Sequence, residues 1–259
     1  MANDTANPGD PARSIALLWG LHEPGRRGPK PKLSAEAVVD AAIALADREG
    51  LAAVSMRRVA ESLGLSPMAL YTYAPSKGEL VDLMLDRIWR DAILPPQPLA
   101  GWREKLEFIA RQQWEIGQRH PWVLVATHRP ALGPNFVAHL EAAFSAVDGL
   151  GLDELEMEMT VRLVTDYARG AVRSALEGRE VEQRTGVTDA EWMAVAEPAL
   201  QQVLDPEAFP VLIRVGAACN AGQDLLFDRD RGFEFGLQRV LDGVEAFIAV
   251  RRLAKSPAA

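Results

Sequence analysis

The sequence predicts an all-α protein: an N-terminal three-helix helix-turn-helix domain followed by a larger helical domain. Apolar residues recur at intervals of three and four along most of the chain, as on the buried face of a helix. Residues that can cap a helix N-terminus precede several of these stripes, and no segment alternates apolar and polar residues as a strand does. With 259 residues, 48% of them hydrophobic, the chain can bury one large core or two smaller ones.

Residues 1–33 are expected to form a disordered tail and a basic arm. Residues 14–21 could make a short helix that places Leu17, Leu18 and Trp19 against the body of the protein. The two prolines in residues 25–32 exclude a helix there. This segment is therefore either a solvated linker or an extended arm that contacts phosphates or the minor groove. The contacts of such an arm would come from Arg26, Arg27, Lys30 and Lys32.

The first helix of the N-terminal domain is expected to begin after Ser34 and to end at Gly50. Serine is a favoured N-cap because its hydroxyl accepts a bond from a free backbone N–H, and glycine is favoured just past the last turn. The apolar stripe between these two residues is spaced for a helix and comprises Val38, Ala42, Leu45 and Ala46.

Residues 55–73 read as a helix-turn-helix. The second helix is expected to start after Ser55 and to stop near Gly64, where a left-handed backbone is easily adopted only by glycine. The third helix has Ser66 as its N-cap and Pro67 as its first residue, which is the favoured order. A unit of this kind places its second helix in the major groove of DNA. The apolar contacts between the two helices are expected from Val59, Leu63, Leu65 and Leu70.

A fourth helix is expected after Ser76, because Ser76 and Glu79 have the spacing of a capping box. Its inward face would carry Leu80, Met84 and Ile88. Three prolines at positions 95, 96 and 98 then interrupt the chain. We therefore expect three regions: residues 1–33 as tail and arm, residues 34–93 as the DNA-binding domain, and residues 94–259 as a second helical domain.

The second domain is expected to be helical throughout, with a loop at residues 177–188. The predicted helices span residues 102–119, 133–147, 153–176, 189–204, 209–227 and 230–253. The last of them has a wide apolar stripe, and the helix from residue 153 is apolar on more than one face, with Gly170 available for a close helix approach. Both helices could belong to the domain core, or they could form a four-helix bundle with their copies in a second subunit.

The charge distribution is that of a DNA-binding protein with an acidic second domain. The whole chain has a net charge of −8, whereas residues 24–78 carry +3 and residues 94–259 carry −7. Basic charge is thus concentrated where a DNA footprint needs it. The single cysteine excludes a disulfide framework, no apolar run is long enough to span a membrane, and the N-terminus is a poor secretory signal. We expect a cytoplasmic protein.

The helix-turn-helix resembles the DNA-binding domain of the TetR (tetracycline repressor) family. The resemblance rests on the segments 56–60, 63–66 and 70–73 and on Lys77, in that order. The C-terminal half resembles, more loosely, the ligand-binding domain of the tetracycline-repressor branch, through segments 132–135 and 233–243. The resemblance implies a homodimer, a palindromic double-stranded DNA operator, and repression relieved by a small molecule.

The resemblance also implies roles for individual residues. Arg57 matches an arginine that contacts bases, and Lys77 matches a lysine that binds phosphate. Tyr71 and Tyr73 match positions that contact phosphates and bases. Tyr73 could instead plug the domain core, and Arg58 is expected to face solvent or phosphate. Pro67, Met68 and Ala69 depart from the polar residues of the tetracycline branch, so contacts with thymine methyl groups are expected. Besides the arm, the expected DNA contacts are Arg57, Ser66, Met68, Ala69, Tyr71, Thr72, Tyr73 and Lys77.

A cavity for the effector is expected in the second domain, lined by apolar side chains with a few polar ones. The resemblance makes residues 94–259 the effector-binding and dimerisation domain. The candidate ligand-binding residues lie in the helices that enclose the pocket in the family, and they are Trp114, Trp122, His128, Asn135, His139 and Tyr167. Each aromatic side chain could equally be ordinary core. The tetracycline branch reads a magnesium-chelated drug, so a metal-dependent effector is the alternative. The histidines of this chain lack metal-ligand spacing, and a hydrophobic or aromatic effector is therefore expected, with no cofactor and no metal.

Three functions are compatible with these patterns. The first is a ligand-responsive repressor, and the second is an activator on the same fold, which the sequence does not distinguish. The third is a small-molecule-binding protein or enzyme without DNA binding. The sequence has no nucleophile elbow, phosphate-binding loop or cluster of metal ligands, so we expect no enzymatic activity.

Overall fold

The computed structural model describes residues 10–21, 33–90, 99–126, 130–221 and 228–255. Within these ranges it contains twelve α-helices and no strand, so the predicted all-α class is confirmed. None of the described helices is long and apolar enough to cross a membrane. The prolines at which the sequence predicts the domain boundary lie outside the described residues.

An N-terminal helix, α1 (Pro11–Leu18), docks on the body of the protein, as the sequence predicted. It begins three residues before the predicted start at residue 14. Its N-cap is Asp10, whose carboxylate accepts a hydrogen bond from the backbone of Ala12. Leu18 packs against the core of the DNA-binding domain, and the indole nitrogen of Trp19 donates to the carbonyl oxygen of Leu132 at 2.9 Å. The helix is therefore tied to both domains.

The four predicted helices of the DNA-binding domain are present: α2 (Ala35–Glu49), α3 (Met56–Ser62), α4 (Pro67–Leu70) and α5 (Lys77–Trp89). Each is capped by the serine immediately before it, whose hydroxyl oxygen accepts a hydrogen bond from a backbone N–H three residues on. Gly64 has φ 65°, as the predicted turn between α3 and α4 requires. A 3₁₀ turn at Leu51–Ala53, which was not predicted, joins α2 to α3.

Two side chains in this domain form ion pairs that were not predicted. Ser76 accepts the expected bond from the backbone of Glu79, but the carboxylate of Glu79 pairs with Arg13 of α1 at 2.9 Å, so a full capping box is not formed. Arg58 is partly exposed, as expected, but its guanidinium also pairs with Glu49 at 2.6 Å. Both ion pairs hold neighbouring helices together.

The second domain contains α6 (Trp102–Arg119), α7 (Val123–Ala126), α8 (Pro134–Val147), α9 (Glu154–Thr185), α10 (Asp189–Gln201), α11 (Pro210–Ala221) and α12 (Arg229–Lys255). Only the short α7 was not predicted. Helix α6 packs against α8 and α9, and α12 packs against α9 and α6, around a core separate from that of the DNA-binding domain. By contrast, none of residues 189–219 is buried, so α10 and α11 contribute little to this core.

The predicted loop at residues 177–188 is wrong, because α9 continues to Thr185 and ends at Gly186 in a left-handed conformation. Arg229 at the start of α12 pairs with Glu182 on this extra length at 2.6 Å. Gly178 leaves room for that guanidinium, since a Cβ atom there would lie 2.8 Å from it. A contact distant in sequence thus supports helix where local composition suggested a loop.

The apolar faces of the two long helices divide between core and surface. The predicted stripe of α12 is buried at Phe233, Leu237, Leu241, Val244 and Ile248. On α9, one face is buried while another remains exposed, with exposed fractions of 68% for Leu155, 62% for Met159 and 52% for Leu163. Gly170 faces open space, and the close helix approach lies instead between Gly117 of α6 and Val172 of α9.

Candidate DNA-binding surface and ligand cavity

The recognition helix α4 is fixed from beneath and open above. Leu70 is fully buried beside Val59 and Ala60 of α3, which sets the angle between the two helices. On the outer side, Met68 is 75% exposed and Tyr71 is 45% exposed.

The small polar residues around α4 are engaged in local bonds. Ser66 accepts from the backbone N–H of Ala69 as the N-cap, and the Thr72 hydroxyl donates to the carbonyl oxygen of Ala69 at 2.6 Å. Ser66 and Thr72 are both exposed, and Ala69 is partly exposed, so all three still lie at the surface. These bonds shape the end of the recognition helix.

The remaining predicted DNA contacts lie at both edges of α4. Arg57 is highly exposed in the first turn of α3, with Glu61 3.4 Å away on the next turn. Lys77 is the first residue of α5, where free backbone N–H groups favour an anion such as phosphate. Tyr73 packs against the core, and its hydroxyl donates to the carbonyl oxygen of Leu33 at 2.9 Å, as expected of a core plug.

The basic arm residues Arg26, Arg27, Lys30 and Lys32 lie outside the described residues. Leu33, the first described residue after them, accepts the hydrogen bond from Tyr73 and is thereby held beside the recognition helix.

A cavity of about 520 Å³ lies between α5, α6, α8 and α9, within the size range of small-molecule sites. The DNA-binding domain contributes Leu85 and Trp89 of α5 to its wall, and the second domain contributes Phe136, His139 and Leu140 of α8. The wall is thus shared by both domains. A ligand in this cavity would touch the helix that follows the recognition helix.

His139 is the polar group buried in the cavity wall. Its side chain is in contact with the ring of Trp89, with centroids 4.3 Å apart, and only 2% of the residue is exposed. Burial lowers the pKa of His139 from 6.5 to about 4, because the charged imidazolium would lose its hydration. The imidazole is therefore neutral at pH 7, and its Nε2 atom has no hydrogen-bond partner.

Charged groups occur only where α9 borders the cavity. Glu158 and Arg162 form an ion pair there at 2.6 Å, and Asp166 and Arg169 lie 3.7 Å apart. Each of these charges has a partner of opposite sign within the same helix. The apolar wall and the charged edge therefore give the cavity two chemically distinct ends.

Two predicted ligand-binding aromatics lie elsewhere. Trp114 stacks on Phe233 with centroids 4.5 Å apart and donates to Asp230. Tyr167 donates to the carbonyl oxygen of Phe233 at 2.7 Å. Both border a second, more open groove of about 560 Å³ between α6, α9 and α12. Among the described candidates, only His139 lines the cavity shared by the two domains.

The other candidates serve to connect the domains. Trp122 is buried, and its indole nitrogen donates to the carboxylate of Asp47 in α2 at 2.7 Å, where Nδ1 of His120 also lies at 2.7 Å. Asn135 donates a hydrogen bond from its side-chain amide to the carboxylate of Asp86 in α5. His128 lies outside the described residues. In the described part of the chain, no three potential ligands are grouped so that they could hold a metal ion.

Asp86 of α5 caps the N-terminus of α8. Its carboxylate, in a residue only 5% exposed, accepts from the backbone N–H groups of Asn135 and Phe136, both at 3.0 Å, and from the Asn135 amide at 2.7 Å. Gly133 permits this approach, because a Cβ atom there would overlap the carboxylate. The cavity-lining face of α8 is thus anchored directly to the DNA-binding domain.

Sequence reasoning missed the contribution of α5 to the cavity and the two connecting carboxylates. Leu85 and Trp89 are four residues apart, so the sequence does indicate a second apolar face of α5 beside the one predicted to be buried. Asp47 and Asp86 gave no comparable signal, because acidic residues on a surface helix are ordinary.

Family models match both domains. One described as "Bacterial regulatory proteins, tetR family" matches residues 38–84, and one described as "Tetracyclin repressor-like, C-terminal domain" matches residues 94–248. The chain belongs to the tetR family. The resemblance inferred from the motifs is confirmed, and this tetR-family protein is a DNA-binding regulator and not an enzyme.

Similar proteins include the transcriptional repressor DrrR1 of Streptomyces coeruleorubidus, 42% identical over 258 residues, which cover 99% of this chain and 93% of DrrR1. A transcriptional regulator of Saccharopolyspora erythraea is 30% identical over 144 residues, which cover 55% of this chain and 61% of that protein. The structure of Streptomyces coelicolor ActR in complex with actinorhodin matches with a TM-score of 0.67 at 25% identity, and the match covers 83% of this chain and 96% of ActR. ActR in complex with (S)-DNPA has a TM-score of 0.64, also at 25% identity, covering 84% of this chain and 99% of ActR.

Proposed function

We propose that this protein is a homodimeric repressor that binds a palindromic operator in the cytoplasm and leaves it when a small molecule enters the cavity between α5 and α8. The observation that carries this proposal is the shared wall of the cavity. Trp89 and Leu85 belong to the DNA-binding domain, whereas Phe136 and His139 belong to the second domain. A ligand that separates these side chains changes the position of the recognition helix relative to the second domain.

The hydrogen bonds between the domains would transmit that change. The segment from His120 to Phe136 is tied to α2 through Asp47 at one end and to α5 through Asp86 at the other. It contains cavity-lining residues, among them Val123 and Leu132. Displacement of this segment by a ligand would therefore pull on two helices of the DNA-binding domain together.

Repression, and not activation, is supported by the identity of 42% with the repressor DrrR1. Binding of a small molecule is supported by ActR, which has been solved in complex with actinorhodin and with (S)-DNPA. Repression and activation are distinguished by a reporter gene placed downstream of the operator. Deletion of the regulator raises expression if it represses and lowers expression if it activates.

The dimer is supported by apolar side chains left without cover on α9 and α12. Leu155, Met159 and Leu163 form one exposed row on α9, and Phe235 and Val250 are exposed on α12. The row on α9 lies at successive helical turns, and exposed apolar side chains on a second long helix beside it suit a four-helix bundle with a second copy. Two copies would also present two recognition helices, as a palindromic operator requires.

For DNA contacts we propose Met68 and Tyr71 on the open side of α4, with Ala69, Ser66 and Thr72 beside them. Arg57 would reach a base edge or a phosphate from α3, and Lys77 would hold a phosphate at the start of α5. The basic arm would add Arg26, Arg27, Lys30 and Lys32. Tyr73 would act chiefly by holding Leu33, since its hydroxyl already has a partner.

The test is selection of bound sequences from a random duplex library with the purified full-length protein. Enrichment of a palindrome with half-sites about one helical turn apart is expected for a dimer with two recognition helices. Binding to that site is then measured by fluorescence anisotropy while candidate ligands are added. Absence of any enriched sequence, with and without ligand, would contradict the proposal.

A further inference from the structure

The described cavity leaves one buried polar atom unsatisfied. Nε2 of His139 is shielded from water, yet no protein atom forms a hydrogen bond with it. Buried polar atoms in folded proteins nearly always have a partner. His139 lines the cavity, so a ligand that displaces the side chains covering Nε2 would reach this atom. The cavity is large enough to supply that partner from a bound molecule.

The surroundings of His139 define the rest of the ligand. The imidazole lies against the ring of Trp89, and Trp89 lies 5.7 Å from the ring of Phe136 between centroids. Leu85 and Leu140 complete this part of the wall. Aromatic rings favour stacked or tilted contact with another ring. A flat aromatic group is therefore the shape that this end of the cavity accommodates best.

Charge at this end is disfavoured. A neutral imidazole compensates poorly for the hydration that a carboxylate or an ammonium group loses on burial. The charged side chains that border the cavity, Glu158 and Arg162 with Asp166 and Arg169, lie on α9 and have partners of opposite sign. Charged substituents of a ligand would be confined to that edge.

We infer that the ligand of this cavity has an uncharged aromatic group whose hydroxyl or carbonyl oxygen forms a hydrogen bond with Nε2 of His139 while its ring packs against Trp89. A neutral imidazole nitrogen can donate or accept, according to its tautomer, so both oxygen types fit. His139 is then the residue that selects oxygenated over plain hydrocarbon rings. The inference rests on the proposed function, because it takes this cavity to be the effector site.

The test uses three probes that share one ring system: naphthalene, 2-naphthol and 2-naphthoate. Their dissociation constants for the full-length protein are measured by calorimetry or by quenching of tryptophan fluorescence. We expect 2-naphthol to bind about tenfold more tightly than naphthalene, and 2-naphthoate to bind more weakly than 2-naphthol. Equal binding of naphthol and naphthalene, or tightest binding of naphthoate, would overturn the inference.

The variant His139→Phe keeps an aromatic ring and removes the nitrogen. It should bind naphthalene within about twofold of the wild type and should lose the preference for naphthol. Trp114→Phe, in the second groove, is the matched control and should keep that preference. A preference that survives in His139→Phe would refute the role of Nε2. Should His139→Phe fail to fold, the comparison of the three probes on the wild-type protein still decides the ligand class.

Failure of this inference and failure of the proposed function give different results. Direct binding of the probes requires no DNA, so absence of a naphthol preference in the wild-type protein counts against the role of His139 alone. If an oxygenated aromatic ligand binds through His139 and the operator complex is unaffected, the proposed release mechanism is wrong and the ligand assignment stands.

Discussion

Removal of the Asp86 carboxylate tests the connection between the two domains. In Asp86→Ala, two backbone N–H groups and one amide group at the start of α8 lose their acceptor. Each buried donor left unpaired costs about 1–3 kcal/mol, and the lost charge at a helix N-terminus about 0.3–1 kcal/mol more. Because Asn135 is partly exposed, water can replace some of these bonds. We expect the free energy of unfolding to fall by about 3 kcal/mol.

The assay is urea and thermal unfolding of the purified protein, followed by circular dichroism. For a chain of this size, a loss of about 3 kcal/mol corresponds to a Tm lower by roughly 6–12 °C. Asp86→Asn keeps one acceptor oxygen and should lose about half as much free energy.

Glu36→Ala is the matched control, because it removes a carboxylate of the same domain that is 67% exposed and paired with Arg90 at 3.0 Å. A surface pair of this kind contributes about 0–1 kcal/mol. If Asp86→Ala unfolds within about 1 kcal/mol of Glu36→Ala, the carboxylate does not hold α8, and the proposed route from cavity to recognition helix loses its main link.

Three further predictions concern the dimer, the DNA and pH. Leu163→Glu should convert the proposed dimer to monomer in sedimentation velocity, because it places a charge in the proposed bundle, whereas Val137→Glu on α8 should not. A dimeric Leu163→Glu would contradict the interface. Lys77→Ala should weaken binding to all duplexes by a similar factor and should lower the slope of log affinity against log salt concentration by about one, whereas Lys105→Ala should not. An unchanged slope would contradict the proposed phosphate contact. For His139, the folded pKa of about 4 lies below the unfolded value of 6.5, so the stability it contributes is full above pH 6.5 and is lost as pH falls toward 4. Unfolding at a series of pH values should therefore show the wild type losing up to about 3 kcal/mol relative to His139→Phe, and parallel pH profiles would disprove a buried neutral imidazole.

The elements that the sequence predicted well are those specified locally. The four serines that cap α2 to α5 act through hydrogen bonds to residues three positions away, and Gly64 turns the chain through its own φ angle. The apolar stripe of α12 is likewise a property of one helix. Such features are visible in a short window of sequence, which explains why helix boundaries in the DNA-binding domain agree closely with expectation.

The features that escaped prediction depend on contacts between distant residues. Helix α9 extends through the expected loop with support from Arg229, which is 47 residues from its partner Glu182. Asn135 was expected to face a ligand, yet it bonds to a carboxylate 49 residues earlier. The cavity is assembled from four helices, and their relative packing cannot be read from the composition of any one of them.

The anchoring of α1 has a consequence for how the basic arm would meet DNA. Upstream of the arm, Trp19 is bonded to Leu132 and Arg13 is paired with Glu79; downstream, Leu33 is bonded to Tyr73. The described residues on both sides of the arm are therefore anchored, and loss of either anchor would raise the entropic cost of contacts between the arm and phosphate. A protein that begins at residue 22 would keep every positive charge of the arm and should nevertheless bind its operator more weakly.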